Sequence, residues 1–345
     1  MSDDALAAWL PAGLEPVALR LARADEAAYK VGRLALAWSR EAFEMSEMSE
    51  IERRAGWLDL VVTGIRPIPP LLVMLFSEAI HHLRAAIENT LFHLAEVERG
   101  QPLPAKHAKH VKIPVLETRA AFDSWQRRVV DDGVIEFDPQ AKLGRRIEAL
   151  QPFADTTASV PTMPAQLAAL MGAPVSAVHP MVLLQKYSNI DKHRSIRMAA
   201  ARTTVICEDE SFADADRSMR PVSVGDVLAT IRRGSGGAIV ELHPAVHVER
   251  PQTGVWVSPG TELSRLWLHV SQIVVPTLVT GFALPRGLPP QIDLGDTGTA
   301  WAERIAQGGW STAKERMDAV SLAALDEANA APVRHPRIGV ASADS

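Results

Sequence analysis

Apolar residues spaced three and four apart, Leu72, Phe76, Ile80, Leu83, Ile87, Leu91 and Leu94, limit what this chain can become more than any other feature. The spacing follows the 3.6-residue period of an α-helix and predicts one long helix over residues 71 to about 99. Pro67, Pro69 and Pro70 launch it, since the first turn of a helix leaves unpaired the amide hydrogen that proline lacks. A stripe of this length needs an apolar partner of similar length. Residues 17 to about 55 offer one. They are free of proline and place Leu19, Leu21, Ala22, Ala28, Val31, Leu34, Ala35 and Trp38 near helical spacing, so they read as one helix or two in series. Residues 57–64 are short, β-branched at the centre and closed by glycine, the pattern of a strand. Two striped helices joined through a short strand predict antiparallel packing in a helical bundle.

Downstream, a loop rich in Pro, Lys and His covers residues 101–112. Helices are expected at 118–130, 139–150 and 180 to about 194, with a mostly irregular stretch at 151–178 broken by Pro152, Pro161, Pro164 and Pro174. After Thr203 the pattern changes. Residues 222–231 and 238–242 read as strands joined by a turn at Gly234, Gly236 and Gly237, where glycine supplies positive φ, and 246–257 add at least one more strand. Thr261 or Ser264 can cap a further helix running to about Gly281, whose Leu266, Leu268, Val270, Ile273, Val274, Leu278 and Val279 demand burial. The expected fold is therefore α+β: a mainly α-helical bundle with a small antiparallel β-unit and a C-terminal helical tail. The expected division is a body at 1–284, with the β-unit at about 204–258, and an appendage at 285–345 that is helical around 301–325 and ends in a flexible polar tail.

Composition narrows the function classes. The 345 residues are 47% hydrophobic, enough for a sizeable core, and 36 basic against 41 acidic residues give a net charge of -5. That balance disfavours a strongly electrostatic nucleic-acid binder while leaving room for a local basic patch. The single cysteine, Cys207, cannot form an internal disulfide and fits a reducing compartment. Met1, Ser2, Asp3 and Asp4 open the chain with acid where a signal peptide carries base. The nearest approach to a membrane span, residues 57–76, is interrupted by Asp59, Arg66, Pro67, Pro69 and Pro70. A soluble cytoplasmic protein is expected, with no membrane partner.

Eleven histidines invite a search for metal ligands. His243 and His247 share a strand face, yet four strand residues span about 13 Å, too far for one metal with bonds of about 2 Å. His107 and His110 sit among lysines, which reads as a solvated basic stretch. Glu78 and His81 have the Glu-x-x-His spacing of carboxylate-bridged di-iron bundles, but no second such motif follows. Neither a phosphate-cradling Gly-x-x-x-x-Gly-Lys loop nor a Gly-x-Ser-x-Gly elbow is present. Cys207, followed by three acidic residues, has a disfavoured thiolate and reads as a small strand residue. No metal or other cofactor is expected.

The densest chemistry is Tyr187-Ser188-Asn189-Ile190-Asp191-Lys192-His193-Arg194. Consecutive helical residues point about 100° apart, so at least one of these polar side chains should turn toward the core, where a charge needs a partner. If this helix packs against the flank of the helix bearing Arg84, Glu88 and Asn89, those residues and Asn189, Asp191, Lys192 and His193 can join one network. The bland reading is a network that fixes helix register. The functional reading gives His193 a proton to carry near neutral pH and lets Arg84 or Arg194 bind an anion such as phosphate.

A resemblance sharpens the second reading. Leu83-Arg84-Ala85-Ala86-Ile87-Glu88-Asn89, followed by Asn189-Ile190-Asp191-Lys192-His193-Arg194, resembles a widespread group of uncharacterised bacterial proteins. Its hallmark stretches read approximately Leu-Arg-Ser-Ala-Leu-Asp-His-Leu and Asn-x-Asp-Lys-His-Arg. Lys112-Ile113-Pro114-Val115, Phe122 and Leu150-Gln151-Pro152-Phe153 match its intervening islands, so the likeness covers about residues 15–280. The first motif is in turn similar to the Arg-x(4 to 6)-His signature of HEPN domains, helical bundles that often act as metal-independent ribonucleases. That similarity places the arginine on Arg84 and the histidine position on Asn89, which cannot serve as acid or base, so the usual active site is incomplete. The resemblance implies a HEPN-like core that binds RNA or a phosphorylated ligand. His193 and Arg84 are then the catalytic candidates, and Asn89, Glu88, Asn189, Asp191, Lys192 and Arg194 the ligand-binding ones. A homodimer is compatible with it. The alternative from another class is a non-catalytic interaction or scaffold protein whose polar cluster is structural.

Overall fold

A computed structural model of the chain describes residues 9–40, 46–171, 174–202, 220–233 and 244–330. Helix α1 (Glu15–Arg40) lies along α2 (Pro70–Arg99), and the contacts run in opposite order, Gly13 against His93, Arg23 to Glu78 and Trp38 to Pro67, so the pair is antiparallel. Leu72, Phe76, Ile80, Leu83, Ile87 and Leu91 of the stripe are fully buried, together with Leu21, Ala22, Ala28 and Val31 of α1. Pro70 opens α2 and Gly100 ends it at φ 73°, where its N–H donates back to the carbonyls of Glu96 and Val97. By length and composition α2 could cross a membrane, which the sequence reading overlooked, and among the described residues no other helix could. One such helix is too little for a multi-span membrane protein, and here it forms the centre of the core.

The region before α2 corrects the expected helix. Helix α1 is described as far as Arg40, and Ser46–Arg54 is strand β1, paired antiparallel with β2 (Trp57–Ile65). Glu, Met and Arg in β1 are good helix formers, so local propensity points the wrong way there; cross-strand pairing and the turn at Gly56, φ 79°, override it. Residues 49–54 of β1 are exposed, as suits a charged edge strand.

Helix α3 (Ala105–Ala108) is one turn; α4 (Arg119–Asp131) begins at a Thr118 side-chain cap, and α5 (Lys142–Ala149) follows. A two-strand ladder, β3 (Val160–Pro161) with β4 (Ala177–Val178), flanks α6 (Ala165–Met171) and leads into α7 (Pro180–His193). Strands β5 (Met198–Arg202), β6 (Arg220–Pro221), β8 (Pro244–Glu249) and β9 (Trp256–Val257) form a sheet in the order β6-β5-β8-β9. Strand β7 (Val227–Arg232) joins β1 and β2 instead, which ties the β-unit to the hairpin that precedes α2. The expected glycine turn at 234–237, its second strand at 238–242, Cys207 and His243 lie outside the described residues.

The next helix starts earlier than expected, at Ser258 with Pro259 in its first turn. It runs as α8 (Pro259–His269), a π-turn over Val270–Val274 and α9 (Val275–Thr280), closed by Gly281 at φ 92°. Helices α10 (Trp301–Ala306) and α11 (Ala313–Ala330) return to α1. Leu288, Ile292, Ile305 and Ala313 enter the same apolar cluster as α1 and α2.

Candidate functional site

The chemistry-bearing side chains of α2 divide between two flanks, and each flank has its own neighbour. On one flank Glu78 accepts from Arg23 at 2.5 Å and His82 lies 3.4 Å from Arg20. Asn89, with its amide turned to satisfy both partners, accepts from Arg20 Nε at 3.0 Å and donates to the Ala85 carbonyl. On the other flank Arg84 donates to Glu88 at 3.0 Å within the same helix, and Ser77 donates to Asp191 of α7 at 2.6 Å. Helices α2 and α7 therefore meet, but through a hydroxyl–carboxylate bond and the edge-on rings of Phe76 and Tyr187, 5.1 Å apart, rather than through a cation from the opposite helix. One guanidinium nitrogen of Arg84, Nη1, is buried without a partner.

Asn189, Lys192, His193 and Arg194 are exposed, and among the described residues their side chains make no hydrogen bond or ion pair. Of the consecutive charges, Asp191 turns toward α2 and the three basic residues stay outside, because α7 ends at His193. Three basic residues cluster at its carbonyl end, where cations complement the helix dipole and project past the last turn. Arg84 pairs within α2 and Asn89 with Arg20 of α1, and among the described residues His193 is not bonded to either.

The buried polar chemistry sits one helix further on, along one face of α8. Glu262 and Arg250, each 1% exposed, form a two-pronged ion pair at 2.8 and 2.7 Å. The Tyr187 hydroxyl donates to the same carboxylate at 3.3 Å, and Arg250 and Arg265 both donate to the Pro161 carbonyl. Burial, with the Glu262 charge beside it, holds the Tyr187 phenol well above its usual range. Two turns along α8, His269 meets His179 edge-on, with ring centroids 5.6 Å apart. His179 caps α7 by accepting the Met181 N–H at its Nδ1, which places its proton on Nε2. Neither Nε2 has a protein partner. Burial lowers both imidazoles, His269 to about 3, with His179 adding to the effect. Neutral, desolvated rings of this kind hold elements together; they are poorly placed to pass protons to a solvent-borne substrate.

Tyr187 is thus the member of the sequence-selected segment that reaches the buried network, and Arg250 and Glu262 were missed. Glu262 carried a readable signal. It falls on the apolar face of its helix, beside Leu263 and one turn before Leu266, where a carboxylate requires a partner. Two further histidines have partners: His107 lies 3.0 Å from Arg99, itself paired with buried Glu136, and His110 lies 3.3 Å from Asp132. Among the described residues no group of three or more His, Cys, Asp or Glu side chains is arranged to hold a metal. Compared with known proteins, the chain matches no family model, no curated protein and no solved structure.

Proposed function

We propose that this protein is a non-catalytic interaction protein of the bacterial cytoplasm, built on a HEPN-like helical core whose polar residues set helix register. The observation that carries this reading is the divergence of positions 84 and 89, one paired with Glu88 and the other with Arg20. A HEPN-type site needs its arginine and its acid–base residue free to act on one substrate, whereas here Arg84 is held by Glu88 of its own helix and Asn89 by Arg20 of α1. Asp191 bonded to Ser77 and Asn89 bonded to Arg20 are spent on the α2–α7 and α1–α2 seams.

A second reading rests on a specific feature of α7. Lys192, His193 and Arg194 are exposed and, among the described residues, unpaired at one helix end, a cationic group suited to the phosphates of RNA or another phosphorylated ligand. Labelled single-stranded RNA distinguishes the two readings. Wild type and Asn89→His are expected to leave it uncut, because a histidine at 89 would face Arg20 rather than Arg84. Cleavage by wild type that disappears in His193→Ala overturns the non-catalytic reading. Salt-sensitive retention of RNA at about 50 mM salt, lost when 192–194 are changed to alanine, establishes the second one.

A further inference from the structure

Away from α7, the return of the C-terminal segment to α1 leaves a cleft of about 430 Å³ between α1, residues 290–294 and Arg316 of α11, a size that suits a small molecule. Its walls are held by backbone bonds. Gln291 and Gly309 exchange N–H···O bonds at 3.2 and 2.8 Å, and Asp293 accepts the Gly295 N–H at 2.8 Å. Ile292, on one wall, is anchored in the core, and Leu294 is 43% exposed.

The polar lining has an excess of donors. Arg23 uses only Nε, on Glu78, and Lys30 makes a single contact, 3.4 Å from Glu26. Arg316 stacks its guanidinium 4.6 Å over Tyr29 and gives Nη2 to Asp25 at 2.7 Å, while its Nε is buried without a partner. The carboxylates beside the cations are engaged. Both Asp25 oxygens are taken, by Ala313 N and Arg316, Glu26 faces Lys30 and Arg316, and Asp293 closes its own turn. Each cation already has a carboxylate partner, Arg23 in Glu78, Lys30 in Glu26 and Arg316 in Asp25, but N–H groups remain uncommitted on Arg23, on Lys30 and at the buried Arg316 Nε, which favours a ligand that brings acceptors.

We propose that this cleft binds a small organic anion, a phosphate or carboxylate on an apolar body, with the head group between Arg23 and Lys30 and the body against Ile292 and Leu294. Calorimetric titration of the full chain with inorganic phosphate, phenyl phosphate and benzoate tests it. One of the two aromatic anions should bind saturably and about tenfold tighter than inorganic phosphate, because its ring covers apolar wall. The tighter of the two identifies the head group. Lys30→Gln, which changes a side chain 47% exposed and so spares the fold, should weaken that probe about tenfold. Leu294→Ser should weaken the aromatic probes and leave inorganic phosphate unaffected. Absence of saturable binding for all three, or equal affinities in wild type and Lys30→Gln, overturns the proposal. The RNA experiment probes the end of α7, so either outcome there leaves this one unchanged.

Discussion

Among single residues, Arg250 carries more of the fold than any member of the motif that stands out in the sequence. Its removal leaves Glu262 charged and enclosed, 1% exposed, so Arg250→Ala is expected to cost about 3–5 kcal/mol. Asp191 is only half-buried and bonded to a serine hydroxyl, so Asp191→Ala should cost about 1 kcal/mol. Urea midpoints of the two variants measure the difference, and equal midpoints would place the weight of the polar network elsewhere. Replacing both ends of the buried pair, Arg250→Met with Glu262→Leu, should recover most of the loss, because no stranded charge remains.

At the scale of elements, the junction of α7 and α8 makes stability depend on pH. His179 and His269 have folded pKa values below their ordinary value, so the unfolded chain takes up the protons. Their contribution is complete above about pH 6.5 and is lost as pH falls from there toward 3. Asp25, in α1, works in the opposite direction. Burial raises it to about 6 despite its bonds to Ala313 and Arg316, so between about pH 6 and 3.8 acid favours the folded form at that site. The melting temperature should still fall between pH 7 and pH 5, since His269 and His179 together outweigh one carboxyl. His269→Gln should flatten that fall and Asp25→Asn should steepen it; a fall unchanged in both variants would assign the dependence to other groups. These elements were legible in part. Thr118, Pro180 and Gly281 mark helix ends in the sequence as they do in the fold. Strand β1 was not legible, because nothing local separates Glu-Met-Ser-Glu-Ile-Glu from a helix until β2 lies beside it.

For the whole molecule, the chain after 284 closes the core rather than trailing from it. Trp9 donates to the Gly287 carbonyl at 2.6 Å, buried Asp25 accepts from Ala313 and Arg316 of α11, and Leu288, Ile292 and Ile305 pack with the α1–α2 cluster. A chain ending at 284 should therefore expose an apolar face of α1, bind a hydrophobic dye and unfold with reduced cooperativity. Unfolding at the same midpoint and slope as the full chain would show that the first 284 residues stand alone.

The sequence by itself determined the period of its stripes, the places where proline and glycine stop or start a helix, and hence a helical body carrying a small antiparallel unit. These are local properties, set by spacing of 3.6 residues and by backbone angles that a few residue types allow. Only the tertiary structure decided which charges meet. Arg250 and Glu262 are twelve positions apart and joined by a turn at Thr253 and Gly254, while Asp25 and Arg316 are separated by most of the chain. Side chains at such distances become neighbours through the packing of whole elements, and burial then raises the strength of their interaction well beyond what any local spacing encodes. The same packing turned Arg84 and Asn89 apart and left His193 at the end of its helix, so a motif dense in chemistry became a set of seams and one exposed cationic tip.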